Sequence, residues 1–258
     1  MFRENALKRR LAAGKKALGC WLFSGDPTAA EIIGHAGYDF VLIDHEHGPG
    51  DPLSAVTLLR ALSASPSTVL MRVAWNDPVR IKRALDIGVE GIMVPMVETA
   101  DQARAAVAAC RYPPAGLRGC ASSVVRASDY GIADDAYLAR ANDEIVVMCQ
   151  IESGLAVDNV AEIAAVDGVD VLFIGPNDLA ASVGHPGDTM HADSRALITR
   201  AEDAIQAAGA KMAAVPYGGM NGAELFARGY DLIPTNSDIT LLRDGALAAV
   251  AAHREMED

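Results

Sequence analysis

Short apolar runs alternate along the chain with amphipathic segments, and turn signals separate the two. The apolar runs predict strands over Leu18–Phe23, Phe40–Asp44, Val69–Val73, Gly91–Val97, Ile145–Ile151, Val169–Ile174, Lys211–Pro216 and Asp231–Thr235. Each is mostly apolar on both faces, the mark of a parallel strand covered on both sides. The amphipathic stretches predict helices over Pro27–Ala36, Asp51–Ser63, Pro78–Ile87, Ala100–Cys110, Leu155–Val166, Ser194–Ala208, Gly222–Ala227 and Ile239–Ala252. Asp26-Pro27, Asp51-Pro52 and Asp77-Pro78 each set a capping side chain before a proline at the first helical position. Gly37, Gly88, Gly168, Gly209 and Gly229 fall where helices should stop. Eight such units predict a single α/β domain over residues 1–258, a (β/α)8 TIM barrel. A doubly wound open sheet is the alternative, though no G-x-G-x-x-G follows the first strand to support its dinucleotide-binding form.

One stretch breaks the rhythm. Residues 111–143 separate the fourth helix from the fifth strand and carry Pro113, Pro114, Gly116, Gly119 and Gly131. This predicts an inserted loop with one short helix, either a surface excursion or a lid or subunit contact. Tyr112-Pro113-Pro114 is read as stiffening its start.

Composition narrows the functional classes. The 22 basic residues against 34 acids give a net charge of −12, which argues against nucleic acid and anionic membranes as partners. A hydrophobic fraction of 51 % supports a sizeable core and excludes global disorder. Cys20, Cys110, Cys120 and Cys149 show no C-x-x-C pair, which fits reduced thiols. The apolar run Ala17–Phe23 is too short for a bilayer span and no small-residue cleavage site follows it, so a cytoplasmic location is expected.

In such a barrel, chemistry sits at the C-terminal ends of the strands. Polar residues collect there: Asp44-His45-Glu46-His47 after the second strand, Arg72 in the third, Gln150-Ile151-Glu152 in the fifth, Asn177-Asp178 after the sixth. Glu152 and Asp178 would point into one basin and suit a hard cation such as Mg2+ or Mn2+. They equally suit helix caps. Within Asp44–His47, a histidine beside a carboxylate can act as a base near neutral pH. The run is also open to reading as a solvated turn closed by Gly48-Pro49, or as zinc ligation by His45 and His47. A barrel-facing Arg72 needs an anion, from a ligand or from Asp44 or Glu46. The remaining histidines, His35, His185, His191 and His253, fall in helices or loops and ask for no functional account.

Together these segments resemble the HpcH/HpaI family of class II, metal-dependent pyruvate aldolases. The resemblance is carried by Tyr38 through His47, Arg72 with Asn76-Asp77-Pro78, Val94-Pro95-Met96-Val97, Arg111 through Gly119, Gln150-Ile151-Glu152 and Phe173 through Leu179. It implies a phosphoenolpyruvate/pyruvate-type barrel that reversibly cleaves a 4-hydroxy-2-oxo acid to pyruvate and an aldehyde. Glu152 and Asp178 would hold the divalent cation, Mg2+ or Mn2+ first and Co2+ as a further candidate. Gln150 and the backbone amides of Asn177 and Asp178 would bind substrate, His47 would be the base, and Arg72 would stabilise the enolate oxygen. The family assigns the histidine's supporting aspartate to Asp86, whereas proximity in sequence favours Asp44. Asp86 belongs to the far end of its own helix and would act, if at all, across a subunit interface. The resemblance further implies a homohexamer with the last helix exchanged between neighbours, compatible with the alanine-rich Ala246–Ala252.

His45 and Asn177 depart from the residues usual in relatives, and Val215-Pro216-Tyr217-Gly218-Gly219 departs around the seventh strand. These differences bear on the acceptor aldehyde more than on the pyruvate half. A CoA-ester lyase of the malyl or citramalyl type, or a decarboxylase, would use the same enolate, and Arg111, Arg118, Arg126 and Arg140 in the insert offer phosphate partners for the former. A non-enzymatic keto-acid-binding barrel would have no use for a proton acceptor.

Overall fold

The structure, a computed structural model, describes residues 3–254. Eight parallel strands close into a barrel in sequence order: β1 (Ala17–Leu22), β2 (Phe40–Asp44), β3 (Thr68–Arg72), β4 (Gly91–Val94), β5 (Val146–Ile151), β6 (Val171–Ile174), β7 (Met212–Ala214) and β8 (Leu232–Ser237). The helices are α1 (Ala6–Ala12), α2 (Pro27–His35), α3 (Pro52–Ala61), α4 (Pro78–Asp86), α5 (Ala100–Cys110), α6 (Asp134–Glu144), α7 (Gly154–Asp158), α8 (Val160–Ala164), α9 (Pro176–Ser182), α10 (Ala192–Ala207), α11 (Gly222–Ala227) and α12 (Asp238–Arg254). The expected barrel is the one found. No described helix is long and apolar enough to cross a membrane.

Strand alternation sorts the apolar residues into two cores. Val41, Ile43, Val69, Met71, Val147 and Cys149 point outward and pack under the helices. Phe40, Leu42, Leu70, Met93, Met148 and Phe173 point inward and fill the barrel. Gly19 belongs to this filling: a Cβ there would lie 2.3 Å from the Phe40 ring, so the ring takes the space that a side chain on β1 would need. Leu7 and Leu11 join the same inner cluster from α1, which therefore closes the N-terminal end of the barrel. The apolar pattern predicts no element in this segment, which is basic at Arg3, Lys8, Arg9 and Arg10.

Other differences are local. Lys211–Pro216 yields only the three-residue β7, because Val215 and Pro216 leave the sheet for the barrel mouth. The expected helix Leu155–Val166 divides at Asn159, whose side-chain amide donates to the Glu98 carbonyl at 2.8 Å. The short α9 follows β6 directly and was absent from the expected elements. Within the insert, one 3-10 turn (Arg126–Ser128) precedes α6.

Candidate active site

Above the apolar layers, the inward positions become polar. On β2, Phe40 and Leu42 are followed by Asp44; on β3, Leu70 by Arg72; on β5, Met148 by Gln150 and then Glu152. Parallel register sets Asp44 directly beside Arg72. A cavity of about 520 Å³ opens over this layer, and its walls include Trp21, His47, Arg72, Gln150, Glu152 and Asp178.

On the β2–β3 side the charges are matched. Arg72 donates through Nε to Asp44 Oδ1 at 2.7 Å and through a terminal nitrogen to Oδ2 at 2.8 Å. Its other terminal nitrogen lies 3.1 Å from Glu46 Oε2, and its guanidinium carbon sits 4.5 Å from the centre of the Trp21 ring. Burial pushes the Asp44 carboxyl upward, but the hydrogen bonds and charge of Arg72 outweigh it and hold Asp44 below the usual carboxylate range. A guanidinium has five N–H donors, so Arg72 keeps donors free for a ligand after these contacts. Asp44 also accepts from the backbone amides of Glu46 and His47 at 3.0 and 3.2 Å, which fixes the turn carrying His47.

His47 is 65 % exposed at its side chain, and its Nε2 lies 3.8 Å from Glu46 Oε2. The carboxylate beside the ring is therefore that of Glu46. Asp44 orders the backbone of His47 and leaves its imidazole to Glu46. Sequence proximity had pointed to Asp44, but the register gives that side chain to Arg72. Asp86 ends α4 and accepts from Arg118 of the insert at 2.8 Å, away from the cavity walls. His45 turns to a separate pocket of about 180 Å³ with Arg80 and Arg83, so His45 and His47 do not face one site.

The β5–β6 side is different. Glu152 is 4 % exposed; its Oε1 accepts from Gln150 Nε2 at 2.7 Å and its Oε2 from the Met96 amide at 2.9 Å. Met96 reaches it from a left-handed backbone, φ 51°, a strained conformation for a side-chain-bearing residue. Gly175 makes room: a Cβ there would fall 2.7 Å from Glu152 Cγ. Burial, and then the negative charges of Asp178 and Glu46, push the Glu152 carboxyl up to about 7. Burial likewise raises Glu46.

Neither Glu152 nor Asp178 caps a helix. Ser153 caps α7 by accepting from the Ala156 amide at 3.1 Å, and no side chain caps α9, whose N-cap is Gly175. That also leaves the Asn177 and Asp178 amides in the first turn of α9 without an intrahelical partner. Gln150 Oε1 is buried and has no hydrogen-bond partner. A cluster of carboxylates short of positive charge, with a spare buried acceptor, fits a divalent cation bound by oxygen. Of the anions the sequence offered Arg72, both Asp44 and Glu46 meet it, whereas the approach of Glu46 to the His47 ring is visible only in three dimensions. The structure also brings His185, His191 and Asp193 together elsewhere, which the sequence gave no reason to connect.

A closed (β/α)8 barrel with carboxylates, a histidine and an arginine at its C-terminal mouth defines a class of enzyme scaffold. The HpcH/HpaI aldolase/citrate lyase family matches residues 17–243, and the chain belongs to that family. It is 42 % identical over 248 residues to a 4-hydroxy-2-oxo-heptane-1,7-dioate aldolase from Salmonella dublin, covering 96 % of this chain and 94 % of the relative. Among solved structures, an HpcH/HpaI aldolase/citrate lyase family protein from Burkholderia cenocepacia J2315 superimposes with TM-score 0.91 at 40 % identity, covering 97 % of this chain and 99 % of that one. An HpcH/HpaI aldolase from Desulfitobacterium hafniense DCB-2 gives TM-score 0.87 at 30 % identity, with 99 % and 97 % covered.

Proposed function

We propose that this barrel cleaves 4-hydroxy-2-oxo acids to pyruvate and an aldehyde, reversibly and with a divalent cation. Family membership makes the chain a lyase of the aldolase type and implies the cation. The observation that carries the reading is the meeting, in one cavity, of cation-deficient carboxylates with an exposed histidine and a donor-rich arginine. Glu152 and Asp178 would hold the ion, Mg2+ or Mn2+ before Co2+, since an all-oxygen set suits hard cations. When bound, the ion supplies Lewis acidity that stabilises negative charge on the keto oxygen of the substrate.

The remaining chemistry belongs to the chain. The Asn177 and Asp178 amides and Gln150 orient the pyruvyl carboxylate. His47 takes the proton from the C4 hydroxyl, with the Glu46 carboxylate close enough to favour its cation. As the C3–C4 bond breaks, its electron pair passes to the pyruvyl half, and the free donors of Arg72 stabilise the enolate oxygen. The aldehyde departs, and a proton delivered to C3 completes pyruvate. Trp21 and Phe173 wall the pocket with apolar surface that limits water. Asp86, which stands outside its own cavity, would support the base of a neighbouring subunit.

Assembly into a homohexamer, with α12 packing on a neighbour, is part of the same proposal. Of the seventeen residues of α12 only Asp238 is buried, while Leu242, Leu247 and Val250 are exposed, which supports such packing.

The test is pyruvate release, coupled to lactate dehydrogenase, over a panel of 4-hydroxy-2-oxo acids with and without EDTA. Cation-dependent turnover on at least one member is expected, and its absence across the panel would sink the proposal. For His47, His47→Ala should lose proton exchange at the pyruvate methyl while still binding the cation; undiminished exchange would remove it as the base.

A further inference from the structure

We propose that His185, His191 and Asp193 form a second cation site, for a borderline transition-metal ion such as Zn2+, distinct from the oxygen site in the barrel and independent of the aldolase reading. The segment between α9 and α10 is built to hold these side chains together. Gly184, φ 87°, ends α9 in the left-handed region, and the His185 amide donates back to the Ala180 carbonyl at 2.9 Å. Gly187, φ 80°, turns the chain again, and Asp188 Oδ1 accepts from the Met190 and His191 amides at 3.0 and 2.9 Å. The fold-back lays the His191 ring on the His185 ring, centroids 3.3 Å apart at 22°. Asp193, in the first turn of α10, completes the cluster.

Its dimensions match a small metal ion. His185 Nε2 lies 3.3 Å and His191 Nδ1 3.7 Å from Asp193 Oδ2, and one ligand atom from each residue falls within 4.8 Å of the others. Tetrahedral zinc, with bonds of about 2.0–2.2 Å, sets its ligand atoms about 3.3–3.6 Å apart. Two imidazoles and a carboxylate favour Zn2+ over Mg2+ or Ca2+, which take oxygen, and solvent at the exposed face of Asp193 supplies the fourth position. Binding has two opposing costs. The rings must rotate out of their stack to aim both lone pairs, and His191 Nδ1 must give up the 3.3 Å bond it accepts from the Asp193 amide. The Asp193 carboxylate offsets the cation's charge at the α10 N-terminus. An ion here would clip the end of α9, whose first turn carries Asn177 and Asp178, to the start of α10.

The experiment is a calorimetric titration of Zn2+ into the metal-stripped full chain in the presence of saturating Mg2+. Cys120 is replaced by serine, so that its exposed thiol offers zinc no competing ligand. One equivalent of Zn2+ should bind; His185→Ala and His185→Gln should each weaken it at least tenfold, and Glu152→Gln should leave it intact. Both His185 variants should keep the parent's pyruvate-forming activity in Mg2+ without zinc. Failure of the parent to bind Zn2+, or equal affinity in either folded His185 variant, would overturn the proposal. Loss of the equivalent in Glu152→Gln would also overturn it, by assigning the zinc to the barrel carboxylates.

Discussion

Glu152 and Glu202 are both glutamates with 4 % of their surface exposed, and their surroundings treat them in opposite ways. Glu202, on α10, accepts from Tyr217 at 2.7 Å, from Tyr230 at 2.8 Å and from two nitrogens of Arg228. Burial pushes its carboxyl upward, yet the Arg228 and tyrosine hydrogen bonds prevail and hold it below the usual range. Glu152 receives two neutral donors and faces two further acids, and it rises to about 7. The first carboxylate is complete within the fold. The second is held in place but left short of positive charge, and such a deficit at a cavity wall is what makes Glu152 the candidate cation ligand. Burial alone does not separate structural acids from functional ones; the sum of the partners does.

The largest expected effect separates the two directly. A Lewis-acid ion contributes several kcal/mol to transition-state stabilisation, so Glu152→Gln should lower kcat/KM at least about 100-fold. Removing the charge should leave the metal-free melting temperature unchanged or raise it, because the acid is uncompensated there. Steady-state pyruvate assays beside thermal melts would check both, and a Glu152→Gln protein that is fully active but unstable would reverse the assignment.

The pH dependence of stability should also have opposite signs. Glu152 is raised when folded, so the folded chain holds its proton between about pH 4.3, the unfolded value, and about 7. Its contribution is full below that window and lost as pH rises through it, by on the order of 3 kcal/mol in metal-free protein. Glu202 is lowered when folded, so its contribution is present above about pH 4.3 and is lost only as pH falls through the folded value. Urea unfolding of wild type against Glu152→Gln across this range should show the first slope in the difference curve. A flat difference would mean that Glu152 is ionised and compensated even without a cation.

Replacement of Glu202 should be a stability effect. Glu202→Gln leaves two tyrosine hydroxyls and Arg228 with a weaker acceptor, for a loss of about 1–3 kcal/mol, toward the low end because Arg228 is partly solvated. The same network anchors Tyr217, next to the cavity-lining Val215 and Pro216. A modest rise in KM for the acceptor aldehyde should therefore accompany the loss, with kcat retained. A collapse of kcat at unchanged stability would show that this acid, too, serves the chemistry.

How far the sequence reached depends on what periodicity can encode. Asp44, Arg72, Gln150 and Glu152 stood out because a strand covered on both faces has no cheap place for a charge or amide, so polarity at its end needs a reason. The eight-unit barrel followed from the same repeats. Partners across strands were legible only as alternatives: Arg72 called for a ligand, Asp44 or Glu46, with nothing in the sequence to choose among them. That Asp44 belongs to Arg72, and that Glu46 stands beside His47, depends on the register between β2 and β3 and on the shape of the following turn. The α1 plug escaped because Leu7 and Leu11 are two apolar residues in a basic segment, too few to display a period. His185 and His191 were set aside as loop residues, since only the Gly184 and Gly187 turns bring them into contact.

The smallest effect concerns the helix ends. At both carboxylate-bearing strand ends a helix begins at once, so ligand and cap were rival readings of each acid. In the structure the capping bond on α7 belongs to Ser153, which also donates to Glu98 at 2.6 Å, while α9 starts from Gly175 without a side-chain cap. Ser153→Ala should thus cost about 1 kcal/mol of stability with cation affinity almost unchanged. Asp178→Asn should do the reverse, weakening the cation while shifting stability by no more than about 0.5 kcal/mol. Denaturation curves paired with Mn2+ titrations on the two variants would read both quantities. Should Asp178→Asn lose the capping energy and keep its affinity for Mn2+, Asp178 would stand with Ser153 and Glu202 among the residues that complete the fold, and Glu152 would have to find its second ligand elsewhere in the cavity.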